Sequence, residues 1–335
     1  MTLEEILELH RSGDLVAAEA AYRAHLAAQP DDAEALHLLG VLRQQQGDHV
    51  GARAMLQQTI ELAPAEARYR LALGGVLLQL GEDATAREEF ERAVQLDPNL
   101  VEAHSLVGHL QLREGDVDAA ESRFRIGRRA DEEDPGILFG LGSVYLARGD
   151  STNAVKFLSR AAEKKPDDAA IQASLGRALF EQGAYSFAER ALENALQLRP
   201  DLSIAKLFLA RSRLRQDKND AARDAFSELI GANQQLFGAN AGLGDVARKK
   251  DQPVKALRFY RRALAIDPGH GGAAHACAWC MERVGDLAGA VGYLEEGLRL
   301  SPDADELRRP LAELLDRLGR AEEATRLRNR MSAQS

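Results

Sequence analysis

The chain has 335 residues, is 45% hydrophobic and 5% aromatic, and carries a formal net charge of −9 at pH 7. That balance excludes generic nucleic-acid binding through a basic surface, and two cysteines in one short segment exclude a disulfide framework. The charge is uneven: residues 1–100 hold 17 acidic and 8 basic side chains, 101–200 hold 16 and 13, and 201–335 hold 19 and 22, so the N-terminal end is the acidic one.

In chain order, the opening stretch MTLEEILELHRSGD has no basic n-region and no apolar h-region, which argues against a secretory signal. No apolar run approaches the about 18 residues of a membrane helix, so a cytoplasmic protein without membrane insertion is expected. One landmark then repeats. Alanine stands at Ala18, Ala52, Ala86, Ala120, Ala154, Ala188, Ala222, Ala256, Ala290 and Ala324, a spacing of 34 residues kept without insertion or deletion. Pro30, Pro64, Pro98, Pro166, Pro200, Pro268 and Pro302 lie at whole multiples of the same 34 from one another. A fixed period of this size marks one supersecondary unit stacked on copies of itself. A compact fold of this length would usually split into about two or three domains. An array escapes that limit, because each unit packs only on its neighbours.

The unit at 33–66 shows the elements. Leu36, Leu39 and Leu42 follow helical spacing until Gly47-Asp48 interrupts it. Glycine suits the position just past a helix, and the aspartate after it caps the next helix. The second helix sets Ala52, Leu56 and Ile60 on one face and stops before Pro64, whose ring disfavours helix in the preceding residue. Acidic residues after the proline, as in Pro30-Asp31-Asp32 and Pro166-Asp167-Asp168, cap the following unit. Ten helical hairpins are therefore predicted as one array over 1–335. A short first repeat occupies 1–32, with its first helix starting near Leu3, eight full repeats fill 33–304, and a capping repeat closes 305–335.

Three units depart from the pattern. The unit at 101–134 has Glu132 in place of proline, inside the acidic turn Asp131-Glu132-Glu133-Asp134. The unit at 203–236 replaces both glycines, with Ala210 and Asp217, and has Gln234 where proline is expected, which predicts a weak hairpin. The last unit puts Arg328 at a position that is aromatic or leucine elsewhere, giving a polar second helix suited to a solvated end.

The unit resembles a tetratricopeptide repeat. That family's pattern has a large residue at position 4, Leu at 7, Gly at 8, Ala at 20, an aromatic or Leu at 24, Ala at 27 and Pro at 32. Leu39-Gly40, Leu73-Gly74, Val107-Gly108, Leu141-Gly142, Leu175-Gly176 and Leu243-Gly244 match positions 7 and 8. Position 24 reads Tyr22, Leu56, Phe90, Phe124, Leu158, Leu192, Phe226, Tyr260 and Leu294. The resemblance covers essentially the whole chain. It implies an all-α, right-handed superhelical α-solenoid, in which the small residues at 8 and 20 let two helix backbones approach.

The resemblance also implies that the first helices line a concave face, with positions 5, 9 and 13 pointing into it. These residues lie four apart, on one helical face. In the N-terminal half they are small and mildly apolar: His37, Val41, Gln45, Leu71, Gly75, Gln79, Ser105, His109, Arg113, Phe139, Ser143 and Ala147. From Arg177 onward they turn cationic. The candidate partner site is the stripe Arg177, Arg211, Arg215, Lys249 and Arg283, ending beside Trp279 and His275, with Phe139, Leu207 and Phe208 as apolar sockets. Trp279 is the single Trp of the chain and would be the natural hot spot. The competing reading buries Trp279 between hairpins and leaves the cations solvated or paired with Glu181 and Asp245, contacts worth roughly 0–1 kcal/mol each.

Two binding modes of the family find no counterpart. The asparagine ladder at position 6 is replaced by Leu38, Ala72, Leu106, Gly140, Ser174, Phe208, Gly242 and Ala276, and no Lys/Asn clamp recurs in successive units. Cys277-Ala-Trp-Cys280, with His270 and His275 nearby, invites a zinc or redox reading. A structural zinc site wants four ligands, usually from a second such motif, and here both thiols sit in mid-helix. They are expected to pack as small hydrophobes, with no metal and no cofactor. No phosphate-binding loop, H-E-x-x-H or G-x-S-x-G sequence occurs, so no catalytic residues are expected.

The expected function is a non-catalytic scaffold that holds a protein or peptide in the concave face, preferably an acidic segment with apolar anchors. Two alternatives stand beside it. The opening units resemble modules that precede catalytic domains in bacterial glycosyl- and sulfotransferases, which would make this chain a substrate-recruiting part. End units could also stack, giving a self-assembling scaffold or homodimer.

Overall fold

The computed structural model describes residues 1–231 and 236–332. The departure at Gln234 lies outside the described residues. Twenty α-helices follow one another among the described residues, and successive helices pair as hairpins. The first five hairpins are α1 (Leu3–Arg11) with α2 (Leu15–Ala28), α3 (Ala33–Gln45) with α4 (His49–Leu62), α5 (Ala67–Gln79) with α6 (Asp83–Leu96), α7 (Val101–Arg113) with α8 (Val117–Ala130), and α9 (Pro135–Ala147) with α10 (Ser151–Lys164). The next four are α11 (Ala169–Glu181) with α12 (Tyr185–Leu198), α13 (Ser203–Arg215) with α14 (Asn219–Gly231), α15 (Phe237–Lys249) with α16 (Pro253–Ile266), and α17 (Gly271–Arg283) with α18 (Leu287–Leu300). A 3₁₀ turn at Asp305–Leu307 then leads into α19 (Arg308–Arg317) and α20 (Ala321–Ser332). As expected, α1 is short, with 9 residues against 13 in α3.

Local chemistry sets the boundaries. The second residue past the first helix is a glycine at positive φ in eight hairpins, from Gly13 (φ 86°) to Gly319 (φ 77°). Glycine has no Cβ to clash there, so the chain reverses at little cost. Asp14, Asp48, Asp116, Asp150 and Asp286 then cap the second helices by accepting the N–H three residues on. Asp32, Asp134 and Asp168 cap first helices in the same way.

Packing accounts for the period. All ten repeat alanines, Ala18 to Ala324, are completely buried. So are the position-24 side chains, from Tyr22 and Phe90 to Leu294, with Tyr260 at 2% exposure. The glycine of the first helix faces that side chain. An added Cβ would lie 2.4 Å from Phe90 at Gly74, 2.5 Å from Leu158 at Gly142 and 2.4 Å from Tyr260 at Gly244. Ordinary carbon contacts are about 3.5–4.0 Å, so these glycines are what admits the large position-24 side chain between two helices.

The chain divides into two compact units, Met1–Pro166 and Asp167–Ser335. The first unit holds five hairpins, with core clusters around Tyr22 and Leu42 and around Phe90 and Val107. The second holds the other five, with clusters around Leu192 and Phe208, around Phe226 and Val246, around Tyr260 and Cys277, and around Leu294 and Leu311. No helix among the described residues is long and apolar enough to cross a membrane.

Candidate functional site

In the C-terminal unit the first helices α11, α13, α15 and α17 carry the predicted cations. Arg211 and Arg215 lie one turn apart on α13. The Arg211 guanidinium stands 5.4 Å from the Phe208 ring centre, and that of Arg215 stands 5.0 Å from the Tyr185 ring. Neither makes an ion pair among the described residues. Arg211 is half-buried beside Leu207: a Cβ at Gly238 would sit 3.2 Å from its Nη2 and 3.0 Å from Leu207. Gly238 therefore leaves room for the guanidinium. Burial pushes the Arg211 pKa below its ordinary value, against the pull of Asp245; arginine stays charged regardless. Cations over aromatic faces gain roughly 0.5–2 kcal/mol while keeping their N–H groups free to donate.

The other cations of the stripe are engaged. Arg177 bonds Glu181 at 2.9 Å and approaches the Phe208 ring at 5.7 Å. Lys249 donates to the Leu214 carbonyl at 2.9 Å and pairs with Asp217. Arg283 pairs with Asp251 at 2.8 Å and lies 5.7 Å from the Trp279 ring, which Arg248 also approaches at 5.9 Å. Asp245 is held by the Tyr260 hydroxyl at 2.7 Å.

Two aromatic expectations need correction or refinement. Phe208, expected as an open apolar socket, is 7% exposed. Its ring packs on Phe180 at 5.4 Å, and two guanidiniums flank it, so it serves as a platform under cations. Trp279 is half-buried and lines a small cavity with His275, Pro310 and Arg317. His275 itself is exposed on α17, and Leu207 is half-buried.

Phe139 belongs to the N-terminal unit, where it is half-buried on α9 with its ring centre 5.2 Å from that of His109. His109 also meets Phe124 edge-on, and burial lowers its pKa.

Sequence reasoning missed Tyr185, Gly238, Asp217 and Asp251 as parts of this face. A usable signal existed for the last two. Asp217 and Asp251 occupy the turn position that is glycine in the other eight hairpins, and both adopt positive φ, 60° and 50°.

Cys277 and Cys280 are buried in a cluster with Ala247, Ala256 and Tyr260. Burial pushes the thiols up to about 12 and about 11, which opposes the thiolate needed for redox chemistry or metal ligation. Among the described residues no group of three or more His, Cys, Asp or Glu is placed to hold a metal ion.

Successive helical hairpins with caps and periodically buried alanines define a helical-repeat protein of the α-solenoid class. The chain belongs to the tetratricopeptide repeat family, whose profile matches residues 3–64, 37–100, 108–169, 173–237 and 209–270. Curated proteins yield no match to the sequence. Solved structures do. The Cut9–Hcn1 hetero-tetramer of the APC/C is 19% identical over 80% of this chain and 52% of that chain, with a TM-score of 0.62. Human IFIT1, solved as a dimer with m7Gppp-AAAA, is 14% identical over 88% and 75%, with a TM-score of 0.57. PilF of Pseudomonas aeruginosa is 17% identical over 61% and 93%, with a TM-score of 0.51. The chain thus spans about half the length of the Cut9–Hcn1 chain it matches. At these identities the likeness establishes the fold alone. Repeats of this family characteristically mediate protein–protein interaction.

Proposed function

We propose that this chain is a non-catalytic scaffold whose C-terminal unit binds an acidic protein segment on the first-helix face. The observation that carries the reading is the pair Arg211 and Arg215. Both guanidiniums rest on aromatic rings without a carboxylate partner among the described residues, and that of Arg211 lies near the half-buried Leu207. Arg211 is half-buried with only the longer-range pull of Asp245 and no direct ion pair, which is costly to maintain unless something uses it, while Arg215 is exposed to an incoming partner. Carboxylates of a partner would complete both arginines, Leu207 would take an apolar side chain, and Trp279 with its cavity would take a second. Phe139, in the other unit, is proposed as a separate apolar contact.

The test is a titration with a fluorescent peptide of glutamates interrupted by leucines. Wild type is expected to bind it with an affinity that falls as salt rises, chiefly through slower association. Arg211→Glu with Arg215→Glu is expected to weaken binding at least about tenfold and flatten the salt dependence. Trp279→Ala should mainly speed dissociation. Equal binding by all three proteins, or contacts mapped to the second helices, would overturn the reading.

A further inference from the structure

The turn residue of each hairpin lies 32 residues before position 13 of the next first helix. In two successive places that turn residue is a carboxylate: Asp217 pairs with Lys249, and Asp251 with Arg283. Two further cations of this kind in the unit follow glycine turns: Arg317, after Gly285, pairs with Glu282, whereas Arg215, after Gly183 (φ 87°), has no carboxylate partner among the described residues. Positive φ costs an L-residue free energy that glycine avoids, and aspartate is one of the few side chains that tolerates it. Both carboxylates are largely exposed, 78% and 70%, at the surface end of their pairs.

We propose that Asp217 and Asp251 are built-in occupants of the cationic face: they hold Lys249 and Arg283 and so confine an incoming acidic segment to Arg211 and Arg215. This inference rests on the binding reading above and assigns its specificity. A partner acidic only opposite α13 is accepted. One with a longer acidic run gains nothing from the next two hairpins, because those cations already have carboxylates and displacing them returns no net pair.

The pattern supplies its own variants. Asp217→Gly with Asp251→Gly installs the residue found at the same turn in the other eight hairpins, so folding is preserved. It is expected to tighten binding of the glutamate–leucine peptide about tenfold, about threefold for each surface pair released. Gly183→Asp, where an added Cβ meets no atom within 4 Å, supplies Arg215 with the missing carboxylate and is expected to weaken binding about threefold to tenfold. Gly183→Asn carries the same backbone strain without charge and is expected to bind as wild type does. If wild type binds and neither aspartate-to-glycine nor Gly183→Asp changes affinity, the masking idea falls while the binding reading stands. If Gly183→Asn weakens binding as much as Gly183→Asp, backbone strain and not charge is responsible, and the inference is overturned. Binding that appears only in Asp217→Gly with Asp251→Gly would support masking and remove the wild-type site. Absence of binding in every protein overturns both.

Discussion

Two glycine-to-alanine substitutions in the N-terminal unit should move stability in opposite directions, though both sit inside helices of 13 residues. At Gly75 on α5 the nearest atom to an added Cβ is Gln44 Nε2 at 3.9 Å. Nothing resists the methyl group, so Gly75→Ala should gain the helix-propensity difference, about 0.8–1 kcal/mol. At Gly140 on α9 the Cβ would stand 2.2, 2.3 and 2.6 Å from three carbons of the Phe124 ring. That ring is completely buried, and it also lies 2.6 Å from where a Cβ at Gly108 would be. Trapped between two glycines, it has no direction in which to yield. Overpacking costs about 1–3 kcal/mol, and three contacts this short with no room to relax place Gly140→Ala at the upper end, about 2–3 kcal/mol; after the propensity gain the net loss is about 1–2 kcal/mol. In a unit of this size a kcal/mol corresponds to about 2–4 °C. The two variants should therefore melt on opposite sides of wild type in far-UV circular dichroism, with urea midpoints shifted in the same order. If Gly140→Ala is as stable as Gly75→Ala, the account of why the repeat keeps glycine at ring-facing positions is wrong.

Ala188→Leu should cost about 1–3 kcal/mol by forcing methyl groups into a completely buried helix crossing; an unchanged urea midpoint would count against the packing register. Cys277→Ser with Cys280→Ser should lose about 1–3 kcal/mol through two buried hydroxyls, and elemental analysis of wild type should find no stoichiometric zinc. One zinc per chain, lost in the variant, would refute the packing role. Asp32 accepts from His25 at 2.7 Å and from the Ala35 N–H, and these bonds outweigh the upward push of burial to hold its carboxyl below the usual range. Its folded pKa is depressed, so its stabilisation is present above the ordinary carboxylate value of about 4 and lost as pH falls through the lowered value. Asp32→Asn should therefore narrow its stability gap to wild type in that acid window, and a gap independent of pH would contradict the assignment.

The hairpins were legible in the sequence because their causes are local or strictly periodic. A glycine and an aspartate in succession end one helix and cap the next through bonds within a few residues, as Gly47 and Asp48 do. The alanine spacing reports a contact repeated identically in every unit, so all ten alanines are buried. That the cations share one face of the first helices followed from helical phase, and the choice of that face as a site from the family resemblance. Which of them remain unpaired did not, because Lys249 finds Asp217 and Arg283 finds Asp251 only when one hairpin is laid on the next, 32 residues away. The covering of Phe208 by Arg177 and Arg211, and the clearance that Gly238 gives Arg211, likewise depend on the distance between neighbouring helices. Periodicity specifies which face a side chain occupies; only tertiary packing decides whether the charge it carries is already neutralised there.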